Sequence, residues 1–259
     1  MSGSVSMEVC GALATVALSH PGKFNAMSRS MWADLRSVFE RIQRDVSLRC
    51  VVVVGAGHFC AGGDISEYPA FRFHEESLRN FHEVDVWGGL QAMLDCDVPI
   101  VAQIDGNCIG AGVEIASCCD IRIASSAARF GAPIARLGFP MAPREAALVL
   151  RAVGELTARE MLLSAAVFDA AEMHRRGFLN QMVAAEILSS EVQAVVQRMM
   201  PLAPAAARLN KQTFRALGQV LPAQGASEFV ANSYQFASSD EHREGVMAFV
   251  EKRQAQFKT

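Results

Sequence analysis

Two short stretches carry residue types and spacings suited to chemistry. The first is Phe59-Cys60-Ala61-Gly62-Gly63-Asp64. The second runs from Asp105-Gly106-Asn107-Cys108 through Ile109-Gly110-Ala111-Gly112 to Val113-Glu114. Each packs small residues into a turn that reads as the opening of a helix, and small residues let backbone approach a ligand closely. Amide N–H groups at a helix start point outward with partial positive charge. Two such turns brought together could hold one carbonyl oxygen between two N–H groups, an oxyanion hole suited to acyl chemistry. Glu114 sits among the apolar residues Val113, Ile115 and Ala116, where burial would raise its pKa into a range useful for proton transfer. The same setting suits a buried glutamate paired with Arg122 or Arg136.

Such turns need rigid elements to position them. Residues 50–54 and 100–104 are near-continuous β-branched or apolar runs, as expected for strands covered on both faces. Residues 13–18 and 121–124 read as further strands, and residues 110–119 as a helix between two of them. This alternation favours an α/β fold with a largely parallel sheet and crossover helices. Ser28 is placed to cap a helix whose apolar positions Met31, Leu35, Val38, Phe39 and Ile42 recur at helical spacing. Residues 66–80 read as a loop or lid, with Tyr68 and His74 as possible acyl-chain contacts, and residues 90–94 as a helix end before Pro99. Beyond about residue 144 the pattern is helical. Thr157 and Asp169 are expected as caps, Gly177 as a terminator, and residues 240–257 as a last helix with acidic residues first and basic residues last.

Composition excludes several classes. With 259 residues the chain can bury a sizeable core, and a net charge of −3 gives no electrostatic footprint for nucleic acid. No apolar run approaches the roughly 18 residues that would span a membrane, and the first residues lack a signal-peptide pattern. Seven cysteines without zinc or disulfide spacing read as reduced, buried thiols, so no metal is expected and the compartment is expected to be cytoplasmic. The sequence holds no nucleophile elbow, phosphate-binding loop or dinucleotide fingerprint.

Jointly, these motifs resemble the crotonase superfamily, the enoyl-CoA hydratase/isomerase family. Cys60-Ala61-Gly62-Gly63-Asp64-Ile65 is similar to its first oxyanion and CoA segment. Asp97 through Gly106 to Glu114 and Cys119-Asp120 is similar to its second. Phe130-Gly131-Ala132-Pro133, Leu137-Gly138 and the tail from Asp240 to Arg253 also match, so the likeness runs from about residue 13 to the C-terminus. The resemblance implies a crotonase-like spiral of ββα units over residues 1–195, a helical trimerisation region over 196–259, and homotrimers or dimers of trimers. It implies an acyl-CoA substrate, with coenzyme A as part of that substrate and no separate cofactor. Gly63 and Ala111 fall where the family supplies its oxyanion N–H groups, and Glu114 where it has its first catalytic glutamate. Lys23, Ala61, Asp64, Ile65, Ser66 and Lys252 fall where CoA contacts occur. Three of these have structural alternatives: Lys23 and Lys252 as solvated lysines, and Asp64 as one half of a capping box with Glu67.

The chain departs from the family at the second catalytic position and just beyond it. Hydratases use a second glutamate, which aligns here with Ile134, a side chain unable to transfer a proton. The following segment, Phe139-Pro140-Met141-Ala142-Pro143-Arg144-Glu145, is also altered. Pro143 and Glu145 read as first-turn helix residues with structural roles, with Glu145 also a candidate to substitute for the missing carboxylate. His58, just before the first turn, reads as a loop or core histidine. Expectations therefore include an enoyl-CoA hydratase/isomerase-like enzyme, a decarboxylase or dehydratase of the same fold, or a catalytically weak acyl-CoA-binding member.

Overall fold

A computed structural model describes residues 2–218 together with Asp240, Glu244, Arg253 and Gln256. Strands β1 (Ser4–Cys10) and β2 (Leu13–Ser19) form an antiparallel hairpin, followed by α1 (Arg29–Arg44) and β3 (Cys50–Gly55). Next come α2 (Glu75–Asn80), α3 (Trp87–Asp95), β4 (Ile100–Ile104), β5 (Asn107–Ile109), α4 (Ala111–Ser117), β6 (Ile121–Ser125) and β7 (Arg129–Gly131). The remainder comprises α5 (Pro143–Val153), α6 (Glu155–Leu163), β8 (Val167–Asp169), α7 (Ala170–Arg175), β9 (Gln181–Val183), α8 (Leu188–Met199) and α9 (Pro204–Gly218). A six-stranded sheet runs in the order β1-β2-β3-β4-β6-β9, parallel from β2 onward, and β5-β7-β8 form a smaller second sheet. The expected parallel sheet is thus present.

Strand β3 shows why its sequence is apolar throughout. Val51 and Val53 point into the larger core with Leu35, Phe39 and Ile42 of α1, while Cys50 and Val52 face Leu188, Val192 and Val196 of α8. A strand buried on both faces has no solvent side to be polar. Ser28 caps α1 as expected, its hydroxyl accepting the Met31 N–H at 3.3 Å. Asp169 caps α7, accepting the Glu172 N–H at 2.8 Å, and Gly177 follows that helix with φ +81°.

Other local expectations give way to the fold. Thr157 is buried inside α6, which begins at Glu155 after Gly154. Glu67 does not reach back to Asp64; its carboxylate accepts the Arg29 N–H at 2.8 Å instead. The span 66–80 is not a plain loop but a 3-10 turn (Ile65–Ala70) followed by α2. Strand β1 escapes the sequence reading because it is largely exposed and weakly alternating. Six of the seven cysteines are buried free thiols, whereas Cys10 is exposed at the end of β1. The helix expected over 240–257 lies largely outside the described residues. Among the described residues no helix is long and apolar enough to cross a membrane.

Helix α9 docks on the α1–α3 side through a polar hub. Asp97 accepts hydrogen bonds from Gln43 at 3.0 Å and from Gln212 and Arg215 of α9 at 2.7 Å each. Burial alone would raise the Asp97 pKa, but these donors outweigh it and hold the carboxyl below its ordinary 3.8. Unfolded, the carboxyl takes up its proton near that ordinary value; folded, it stays charged to lower pH. Its stabilising contribution is therefore full above about pH 4 and lost as pH falls through the folded-state pKa. Asp97→Asn is expected to lower the urea midpoint at neutral pH and to flatten its fall in acid. Parallel acid dependence of the two proteins would count against this role.

Candidate active site

The two small-residue turns, far apart in sequence, are stitched together by backbone. Phe59 N–H donates to Asp105 O at 2.8 Å, Cys60 N–H to Asn107 O at 2.8 Å, and Ile109 N–H to Cys60 O at 2.9 Å. Cys60 and Cys108 thereby pair as in a parallel ladder. His58 serves this junction, its Nδ1 accepting the Asn107 N–H at 3.0 Å while its ring meets Phe24 edge-on. Approach is close enough that a Cβ on Gly112 would lie 2.5 Å from Cys60 O.

Within each turn a glycine of positive φ redirects the following peptide: Gly62 at +110° and Gly110 at +51°. Only glycine enters such conformations readily. Around Gly63, the flanking groups are used up, since Met27 N–H donates to Gly62 O and Asp64 N–H to Met27 O, both at 2.8 Å. Ala111 is the first residue of α4, where a helix leaves its N–H groups without internal acceptors. Among the described residues neither the Gly63 nor the Ala111 N–H donates to a protein acceptor. Both residues border one cavity of about 310 Å³.

The cavity wall is mainly apolar, including Trp32, Ile65, Phe81, Val86, Ile109, Ile134 and Phe139, with Tyr68, Arg72, His82, Glu114 and Arg136 as its polar members. Gly63 has no room for a side chain because the Tyr68 hydroxyl occupies that space. Burial pushes the Tyr68 hydroxyl up to about 12. Arg72 stacks its guanidinium 3.8 Å above the Phe139 ring and 4.4 Å from that of Tyr68. His74, by contrast, is exposed at the start of α2 and is not part of the wall.

Glu114 projects from the first turn of α4 and is 7% exposed. Its expected alternative, a pair with Arg122 or Arg136, is absent. Arg122 donates to the carbonyls of Phe178 (2.6 Å) and Cys119 (2.7 Å), and Arg136 to that of Ala165 (3.2 Å). Burial raises the Glu114 pKa well above the usual 4.5, and the nearby Glu145 charge adds to it. A carboxyl so placed keeps its proton to higher pH than a solvated one and can hand it over.

Lys23, Asp64 and Ser66 converge beside the first turn. Lys23 Nζ lies 2.6 Å from Asp64 Oδ2 and 2.8 Å from Ser66 Oγ, and Asp64 also accepts the Ser66 N–H at 3.2 Å. Ala61, Gly63 and Ile65 border the cavity directly, while Lys252 lies outside the described residues.

The sequence reading missed His82 and its pairing with Glu145. Glu145, in the first turn of α5, is 3% exposed and turns inward, its Oε1 2.8 Å from His82 Nδ1. His82 sits in a π-helical turn, Phe81–Val86, a local widening often found at functional sites. No short-range signal could have found them, because the partners are 63 residues apart.

Comparison with known proteins identifies the family. The family model for enoyl-CoA hydratase/isomerase matches residues 8–259, and the chain belongs to that family. A short-chain-enoyl-CoA hydratase of Clostridium acetobutylicum is 30% identical over 253 residues, covering 96% of this chain and 95% of that protein. A probable enoyl-CoA hydratase of Rhizobium meliloti is 29% identical over 255 residues, covering 97% and 96%. Among solved structures, an enoyl-CoA hydratase/carnitine racemase from Magnetospirillum magneticum superposes with a TM-score of 0.93 at 33% identity, covering 98% of this chain and 95% of that one. The fold is that of crotonase-type hydratases, and the protein is an acyl-CoA-processing enzyme of the hydratase/isomerase kind.

Proposed function

We propose that the thioester carbonyl of an acyl-CoA sits between the N–H groups of Gly63 and Ala111, with Glu114 moving a proton at the adjacent carbon. The observation that carries this reading is the meeting, in one apolar cavity, of two N–H groups without protein acceptors and a buried glutamate of raised pKa. Removing the α-proton moves charge onto the thioester oxygen, where two fixed donors in a water-poor site stabilise it. Glu114 then returns a proton to the same or a conjugated carbon.

In this reading the CoA moiety runs past Lys23, Ala61, Asp64, Ile65 and Ser66, with Lys252 as a further contact from the tail. Lys23 engages an anionic group by exchanging part of its bond to Asp64. Coenzyme A enters only as part of the substrate. Assembly as a homotrimer or dimer of trimers belongs to the same proposal, supported by exposed apolar side chains such as Leu156, Leu163 and Phe214.

The test is a mass-spectrometric screen of acyl-CoAs incubated with the enzyme in D₂O. Deuterium uptake at the α-carbon is the expected result. Absence of uptake with every chain offered would favour a binding protein over an enolate-forming enzyme.

A further inference from the structure

Adding water across a double bond requires two proton sites, one to take a proton from water and one to give a proton to carbon. Glu114 is one. The residue aligned with the family's second glutamate, Ile134, lies in the cavity wall and cannot be the other. His82, however, borders the same cavity, and the reading above leaves it unused. A carboxylate only accepts hydrogen bonds, so the contact between Glu145 Oε1 and His82 Nδ1 requires the proton on Nδ1. That leaves Nε2 as the nitrogen able to exchange protons, and among the described residues no hydrogen bond engages it.

We infer that His82, held by Glu145, is the second proton-transfer group of this enzyme and the base that activates water. This inference rests on the proposed placement of the thioester. His82 Nε2 takes a proton from water as the water oxygen bonds to C3 of a 2-enoyl thioester. The C2=C3 electron pair shifts to form the enolate, its oxygen held by Gly63 and Ala111. Glu114 then delivers its proton to C2 and the carbonyl reforms. One water has been consumed, with OH on C3 and H on C2, and the proton on His82 returns to Glu114 through solvent.

The other groups around the cavity suit this role poorly. Arg72 and Arg136 are cations, and the Tyr68 hydroxyl holds its proton too firmly to act as a base near neutral pH. Glu145 is a positioning residue. It fixes the imidazole tautomer and its charge stabilises the imidazolium formed during the step, an arrangement also found in carboxylate–histidine pairs of hydrolases.

The test compares two reactions of one protein: hydration of a 2-enoyl-CoA, and α-proton exchange of the matching saturated acyl-CoA in D₂O. His82→Gln is expected to slow hydration by about 10²–10⁴-fold while exchange stays near the wild-type rate. Glu145→Gln is expected to slow hydration less, with the loss in kcat rather than KM and with α-proton exchange near the wild-type rate, because Glu145 acts only through His82. A purely structural role would slow hydration and exchange alike. Hydration near the wild-type rate in His82→Gln, or equal loss of both reactions in a variant with unchanged thermal stability, would overturn the inference. So would a wild-type enzyme that exchanges α-protons yet hydrates no 2-enoyl-CoA, an outcome that leaves the reading of Glu114 intact.

Discussion

Glu114→Gln is expected to abolish turnover while leaving acyl-CoA affinity largely intact. The amide matches the carboxyl in shape, so the apolar wall and the N–H groups of Gly63 and Ala111 remain as they were. What disappears is the transferable proton. Positioned acid–base groups typically contribute about 10²–10⁴-fold, and Glu114 handles each proton moved to or from carbon in the proposed reactions. Binding survives because the carboxyl makes no ion pair with Arg122 or Arg136 that the substitution would orphan. Titration calorimetry with a saturated acyl-CoA, run beside the deuterium-exchange assay, separates the two effects. Turnover unchanged in the variant would remove Glu114 from the mechanism. In the wild type, activity that needs protonated Glu114 should persist above the usual carboxylate range and decline as pH rises through the elevated pKa.

The second large effect is expected at Ala111. Proline at this position removes the N–H and puts a methylene in its place, yet the first residue of a helix is where proline fits best. Loss of one oxyanion donor costs roughly 2.7–4 kcal/mol of transition-state stabilisation, about 10²–10³-fold in kcat. Ala111→Gly keeps the donor and should turn over near the wild-type rate, which makes it the matched control. A thermal melt close to wild type for Ala111→Pro assigns its loss to the hole rather than to the fold. Equal rates in the proline and glycine variants would show that this N–H does not hold the substrate oxygen.

Much of the site was legible before the fold because its signals are local. The apolar runs at 50–54 and 100–104, the glycine turns after them and a glutamate on an apolar helix each lie within about a dozen residues. The caps Ser28 and Asp169 needed only their neighbours in sequence. Local signals failed where a remote group competed for the same atoms. Glu67 had the spacing of a capping box but bonds to Arg29 instead, 38 residues away. Thr157 had cap chemistry, but Gly154, with φ +83°, makes the helix junction earlier. Strands β5, β7, β8 and β9 span three residues each, too few for any periodicity to register.

The sequence by itself therefore determined the family, the parallel sheet, the two turns and the candidacy of Glu114, all encoded by side-chain pattern over short windows. Only the tertiary structure decided that the turns meet through Cys60 and Cys108, that neither Arg122 nor Arg136 pairs with Glu114, and that Glu145 turns inward to His82. Those facts depend on where distant backbone segments pack and on which of several donors reaches a carboxylate first. Side-chain direction and long-range hydrogen bonding carry no fixed spacing in sequence, so the first proton group could be read from the chain and the second emerged only from the fold.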